Sequence, residues 1–149
     1  MWKPVSLRRR PDLEPTPWRA EVSGPRVLIE HHDSSIGVAV SNLLAAEGYA
    51  VSNCGGPDDR QKHVCPLVSG GDCPQADEAD VVFFGLDISD EGDREILRSW
   101  RERHADIPVI VEMPVSRIPL YADELEGCVA VPQPMTQETL LSAVGKALR

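Results

Sequence analysis

Cys54, Cys65 and Cys73 fall inside one Gly/Pro-rich stretch that also carries His63. Thiols gathered on a loop hold a metal, form a redox centre or pair as a disulfide, and the neighbouring Gly and Pro residues supply the tight turns that convergence of several sulfurs needs. Three sulfurs and one imidazole suit tetrahedral Zn²⁺, whereas three sulfurs with an open or non-cysteine fourth position suit an iron–sulfur cluster. The candidate imidazoles are His63, two residues before Cys65, and His31 and His32, which end an earlier apolar run. The Cys54-x10-Cys65-x7-Cys73 spacing matches neither the common Cys-x2-Cys zinc pattern nor the ferredoxin run. A labile disulfide between Cys65 and Cys73, or three idle thiols, stay open as readings. Cys128, alone in an apolar run, reads as a small core hydrophobe.

The elements that must position these groups alternate in type. Arg26 to Glu30 is a short apolar strand, followed by a helix capped by Ser34 or Ser35, striped by Ile36, Val40, Leu43 and Leu44 and closed by Gly48. Tyr49 to Asn53 is a second strand that leads into Cys54, and Asp80 to Phe84 is a fully apolar third. Asp93 to Arg103 is an amphipathic helix through Ile96, Leu97 and Trp100. Ile107 to Val111 and Cys128 to Val131 are the last two strands, and a helix opened by Thr136 buries Leu140, Leu141, Val144 and Leu148. A helix belongs after the second strand, but residues 55–78 contain Gly55, Gly56, Pro57, Pro66, Gly70, Gly71 and Pro74, which exclude a regular one. Such alternation predicts an α/β fold: a doubly wound, flavodoxin-like parallel sheet of five strands in the order 2-1-3-4-5, with ligands beyond the carboxyl ends of the strands.

Over about residues 26–149 the chain resembles a response-regulator receiver domain. Arg26-Val-Leu-Ile is similar to that family's first strand, Gly48-Tyr-Ala-Val to its second, Ala79-Asp-Val-Val-Phe-Phe to its third, Ile107-Pro-Val-Ile-Val to its fourth, and Pro132-Gln-Pro to its closing signature. The chemistry of the family is not carried over. Where the resemblance implies two acidic Mg²⁺ ligands the chain has His31 and His32, where it implies the phosphate-accepting aspartate there is Gly85, and Met113 and Gln133 stand for the hydroxyl residue and the lysine. The resemblance therefore implies a degenerate receiver-like module, not phosphorylated and not an enzyme, that acts through a protein partner in signalling or gene regulation. The Cys-rich loop would bind zinc or an iron–sulfur cluster or sense redox state, and a homodimer is compatible. Two alternatives are a conventional phosphoacceptor that uses a displaced Asp87 with Asp33, and a purely structural adaptor with idle cysteines.

With 149 residues, 42% of them hydrophobic, one domain can fill its own core. A net charge of −9 repels a phosphate backbone, and the one basic cluster, Arg8 to Arg10, lies in a Pro-rich leader over residues 1–25, read as flexible or extended. In that leader Trp2 and Trp18 either cover an apolar patch or dock on a partner. The first residues have no apolar signal region and no run is long enough to span a bilayer, so the expected compartment is the cytoplasm, where clustered cysteines stay reduced. No G-x-S-x-G, P-loop or G-x-G-x-x-G is present.

Overall fold

The computed structural model describes residues 15–19, 23–56 and 65–149. Five parallel strands form one sheet in the order β2-β1-β3-β4-β5: β1 (Arg26–Glu30), β2 (Ala50–Cys54), β3 (Val81–Phe84), β4 (Val109–Pro114) and β5 (Val129–Gln133). The order is the one expected from the alternation of apolar runs and amphipathic segments. Helices α1 (Ser34–Ala46), α4 (Glu91–Arg103) and α5 (Gln137–Ala147) cross between or follow the strands. Two short helices, α2 (Pro66–Ser69) and α3 (Pro74–Glu78), stand where a long one belongs, and a 3₁₀ segment spans Val115–Tyr121. No helix among the described residues is long and apolar enough to cross a membrane.

Alternation along the strands sends side chains to two cores. Val27 and Ile29 of β1 join Val40, Leu44, Phe83, Ile110, Leu140 and Val144 under α1 and α5. Leu28 joins Val82, Phe84, Ile96, Leu97 and Trp100 on the opposite face, under α2, α3 and α4. Glu30 follows Leu28 on that second face, so β1 ends by directing a carboxyl group into the core; Glu30 is only 3% exposed.

Local chemistry sets the boundaries. The cap of α1 is Asp33, not Ser34 or Ser35: its Oδ1 accepts from the amides of Ser35 at 2.9 Å and Ile36 at 3.4 Å, and a carboxylate outcompetes a hydroxyl at a helix N-terminus. Asp90 caps α4 by accepting from the Asp93 amide, which starts that helix before Asp93. Thr136, where the sequence opens the last helix, exchanges backbone and side-chain hydrogen bonds with Thr139 at the start of α5. Strand β4 runs to Pro114 because its last residues remain paired with β5, Pro114 abreast of Gln133. Cys128 is half-buried against the α4-side core.

Residues 15–19 run along the outer edge of β2. The amide of Thr16 donates to Asn53 O at 2.7 Å and that of Arg19 to Val51 O at 3.3 Å, which satisfies backbone groups that an open sheet edge leaves unpaired. Trp18 packs against the α4-side core, with the Arg26 guanidinium 5.7 Å from its ring centre. Trp2 and Arg8 to Arg10 lie outside the described residues.

Candidate functional site

Two cavities open at the carboxyl edge of the sheet, one beyond β3, β4 and β5 and the other beneath α2 and α3. The first has a volume of about 220 Å³ and is lined in part by Gly85, Asp87, Glu112, Met113, Arg117 and Gln133. His31 packs against Gly85 at its margin. A Cβ on Gly85 would overlap Cδ2 of His31 and lie 3.1 Å from Glu30 O, so the glycine and the imidazole are complementary in shape. The ring is held at both nitrogens: Nδ1 accepts from the Asp33 amide at 3.0 Å, and Nε2 lies 3.6 Å from Glu112 Oε1. Gln133 Nε2 donates to the same Glu112 oxygen at 2.7 Å. Burial opposes the charge on Glu112, but the His31 imidazole and the Gln133 amide outweigh it and hold the carboxyl below its ordinary value.

His32 turns the other way. Its Nε2 lies 2.7 Å from Asp93 Oδ2 and its Nδ1 3.0 Å from Gly55 O, while Asp93 also accepts from the Asp87 amide at 3.0 Å. The Asp93 carboxylate raises the His32 pKa against the opposing effect of burial. Asp87 itself folds back on its own turn, accepting from the amide and hydroxyl of Ser89 at 3.0 and 2.6 Å, and the Ser89 contacts lower its pKa. Asp33 caps α1 through its Oδ1. A Mg²⁺ ion of the kind a receiver uses does not fit these residues, since the acidic pair is replaced by two engaged histidines and no carboxylate follows β3 directly.

The second cavity, of about 380 Å³, is lined by Cys54, Cys65 and Cys73 together with Leu28, Glu30, Gly56, Pro66, Gln75 and Trp100. The three thiols that the sequence singles out thus surround one space. Cys54 stands abreast of Glu30 on the neighbouring strand. Cys65 and Cys73 occupy the residue before α2 and before α3, each followed by a proline at the first helical position, where its fixed φ fits and its missing N–H costs nothing. Gly70, at φ 86°, ends α2 in the left-handed conformation that glycine adopts without strain. Arg103, in the last turn of α4, then fastens the segment: its guanidinium donates to Pro66 O at 3.0 Å, Leu67 O at 2.9 Å and Gly71 O at 3.0 Å.

Burial raises all three thiols, Cys65 to about 11 and Cys54 furthest, and the Glu30 carboxylate adds to the effect. Backbone amides oppose it: Gly56 at Cys54, Leu67 and Val68 at Cys65, and Ala76 and Gln75 at Cys73 each favour the thiolate. Glu30 is pushed up to about 7, chiefly by burial and against the hydrogen bond that Trp100 Nε1 donates to its Oε1 at 2.7 Å.

Among the described residues, no group of three or more His, Cys, Asp and Glu side chains is arranged to hold a metal ion. His31 and His32 do not line the cysteine cavity, and both nitrogens of each ring are engaged elsewhere. His63 lies outside the described residues. The group that joins the cysteines is Glu30, which reading by residue type passes over as a polar strand end. A signal for it existed in the register: a carboxylate closing an apolar strand beside a cysteine that closes the next.

No family model matches the chain, and no curated protein matches it in sequence. Solved structures do. A response regulator receiver domain protein from Clostridium thermocellum superposes with a TM-score of 0.64 at 17% identity, covering 83% of this chain and 94% of that one. The chemotaxis protein CheY4 of Vibrio cholerae gives 0.60 at 20% identity over 85% and 100% of the two chains. A putative pilus assembly protein (cpaE) from Burkholderia thailandensis gives 0.64 at 13% identity over 83% and 97%. The fold is that of the response-regulator receiver domain.

Proposed function

We propose that the chain is a receiver-fold signalling module that works through a protein partner without aspartyl phosphorylation. In place of the phosphoryl group, the cavity of Cys54, Cys65 and Cys73 would bind a metal, zinc or iron–sulfur, or respond to redox state. The single observation that carries this reading is the interlock of His31 with Gly85. The space that a phosphate-accepting side chain needs after β3 is filled by an imidazole tied to Glu112, and the cation normally beside it is replaced by Gln133, which cannot neutralise a transferred phosphoryl group. The module itself performs no catalysis in this reading. It is a cytoplasmic protein, free or as a homodimer, and its acidic charge argues against direct contact with nucleic acid.

Such a partner would meet Val115 and Leu120 of the 3₁₀ segment, which are 63% and 76% exposed. The displaced phosphoacceptor reading has one observation in its favour, the Arg117 charge that helps lower the Asp87 pKa. Against it, Asp33 caps α1 and Asp87 is bound by Ser89. Incubation with acetyl phosphate and Mg²⁺ followed by intact-mass measurement separates the two. The expected spectrum contains no phosphoryl adduct, and an adduct that disappears in Asp87→Ala would overturn the proposal. A purely structural role for the loop predicts unchanged metal content and stability when all three cysteines become serine.

A further inference from the structure

The cysteine cavity differs from a mononuclear zinc site in one respect: its ligands surround a volume and do not meet at a point. Four sulfurs or nitrogens bound to one zinc are packed within about 4 Å of each other by bonds of ~2.0–2.3 Å. Here no such grouping exists among the described residues, yet three cysteines and a buried carboxyl group face the same 380 Å³ space. A polynuclear cluster has the matching demand, because each sulfur bonds a different iron and the inorganic core fills the space between them.

We propose that this cavity holds an iron–sulfur cluster of the four-iron type, ligated by Cys54, Cys65 and Cys73, with the Glu30 carboxyl group on its fourth, non-cysteine side. The inference rests on the reading that the loop binds a metal, and it names the group and the ligand set. The two histidines at the end of β1 do not line this cavity. Glu30 takes the fourth side because it lies abreast of Cys54 on the adjacent strand, is 3% exposed and has its Oε1 fixed by the Trp100 indole.

The surrounding backbone suits cluster sulfurs. Each Cys-Pro step turns the chain so that amides two and three residues on face the sulfur, Leu67 and Val68 at Cys65 and Gln75 and Ala76 at Cys73, while the proline offers no competing donor. Amide donors around the sulfurs are among the features that set a cluster's potential. On assembly the sulfurs of the three cysteines displace three small-thiol ligands from three irons of a preformed [4Fe–4S]²⁺ unit, each released thiolate taking up one of the three protons the cysteines lose, with no change in oxidation state. Arg103 holds α2 in place around the cluster through the three carbonyls it binds.

The test uses the full chain, purified without oxygen and incubated with Fe²⁺ and Fe³⁺ in equal amounts, sulfide and a small thiol. The expected product retains about four irons and four sulfides per chain after desalting, with a broad visible absorbance. Cys54→Ser, Cys65→Ser and Cys73→Ser each lose most of that iron while Cys128→Ser keeps it, and Glu30→Gln keeps the cluster with a shifted midpoint potential. Failure of the wild-type chain to retain iron, one tightly held Zn²⁺ in its place, or equal loss of iron in Cys128→Ser would each overturn the assignment. An unchanged potential in Glu30→Gln removes Glu30 from it. Because the wild-type reading stands alone, variants that do not fold leave the test intact, and the phosphodonor experiment reports separately on the signalling proposal.

Discussion

The two cavities at the carboxyl edge of this sheet have opposite characters. Beyond β3 and β4, where a receiver keeps its reactive groups, His31 meets Asp33 and Glu112, Glu112 accepts from Gln133, and Asp87 accepts from Ser89. Beneath α2 and α3, where a receiver keeps a plain helix, three thiols and a carboxyl group line an open space. The two cavities meet at one dipeptide, since Glu30 lines the second and His31 packs against Gly85 beside the first.

The largest expected effect tests the wall that the cysteine cavity shares with the core. Trp100 is fully buried and donates to Glu30, so Trp100→Ala should cost about 3–5 kcal/mol by urea unfolding, the range for deleting a buried aromatic, with Trp100→Phe losing about 1–3 kcal/mol for the missing donor. A Trp100→Phe variant as stable as the wild type would mean that packing alone, not the bond to Glu30, accounts for the role of Trp100. The interlock of the other cavity comes next. Gly85→Ala should destabilise by about 1–3 kcal/mol through overpacking, and the same change made in His31→Ala should cost clearly less. Additive effects in that cycle would show that the two residues do not compete for space.

Arg103→Ala should remove about 1 kcal/mol, felt locally: hydrogen exchange should quicken at the amides of α2 and α3 and not in α5. The smallest effect is a pH dependence. His32 has a raised pKa in the folded chain because of Asp93, so its stabilisation is complete below about pH 6.5, its unfolded value, and is lost as pH rises through the folded value. Melting temperatures recorded across that window should fall with rising pH, and His32→Asn should flatten that part of the curve. A rise in the same window would contradict the pairing.

Much of the scaffold was readable from residue type alone. Val81 to Phe84 and Val27 to Ile29 are apolar on both faces, as strands covered on two sides must be, and the glycines and prolines between Cys54 and Ala79 forbid a long helix. The convergence of Cys54, Cys65 and Cys73 on one space follows from that same loop. Side-chain partners at the strand ends were not readable. His31 and His32 look like free ligands in sequence, yet their partners Glu112 and Asp93 arrive from β4 and α4. Glu30 was hidden because its indole donor lies far along the chain and because a charged residue closing a strand ordinarily faces water. Nor could spacing foretell the docking of residues 15–19 on β2, which uses backbone hydrogen bonds that leave no mark in side-chain pattern.

The comparison between the cavities is tested most directly by a single amide NMR map of the full chain, recorded first with Mg²⁺ and beryllofluoride and then after anaerobic loading with iron and sulfide. The account predicts no change at Gly85, Asp87 and Gln133 with the phosphoryl mimic, and strong paramagnetic broadening at Gly56, Leu67, Val68, Gln75, Ala76 and the Trp100 indole with iron. Shifts around Gly85 and Asp87 with the mimic, together with an unperturbed cysteine loop, would contradict it.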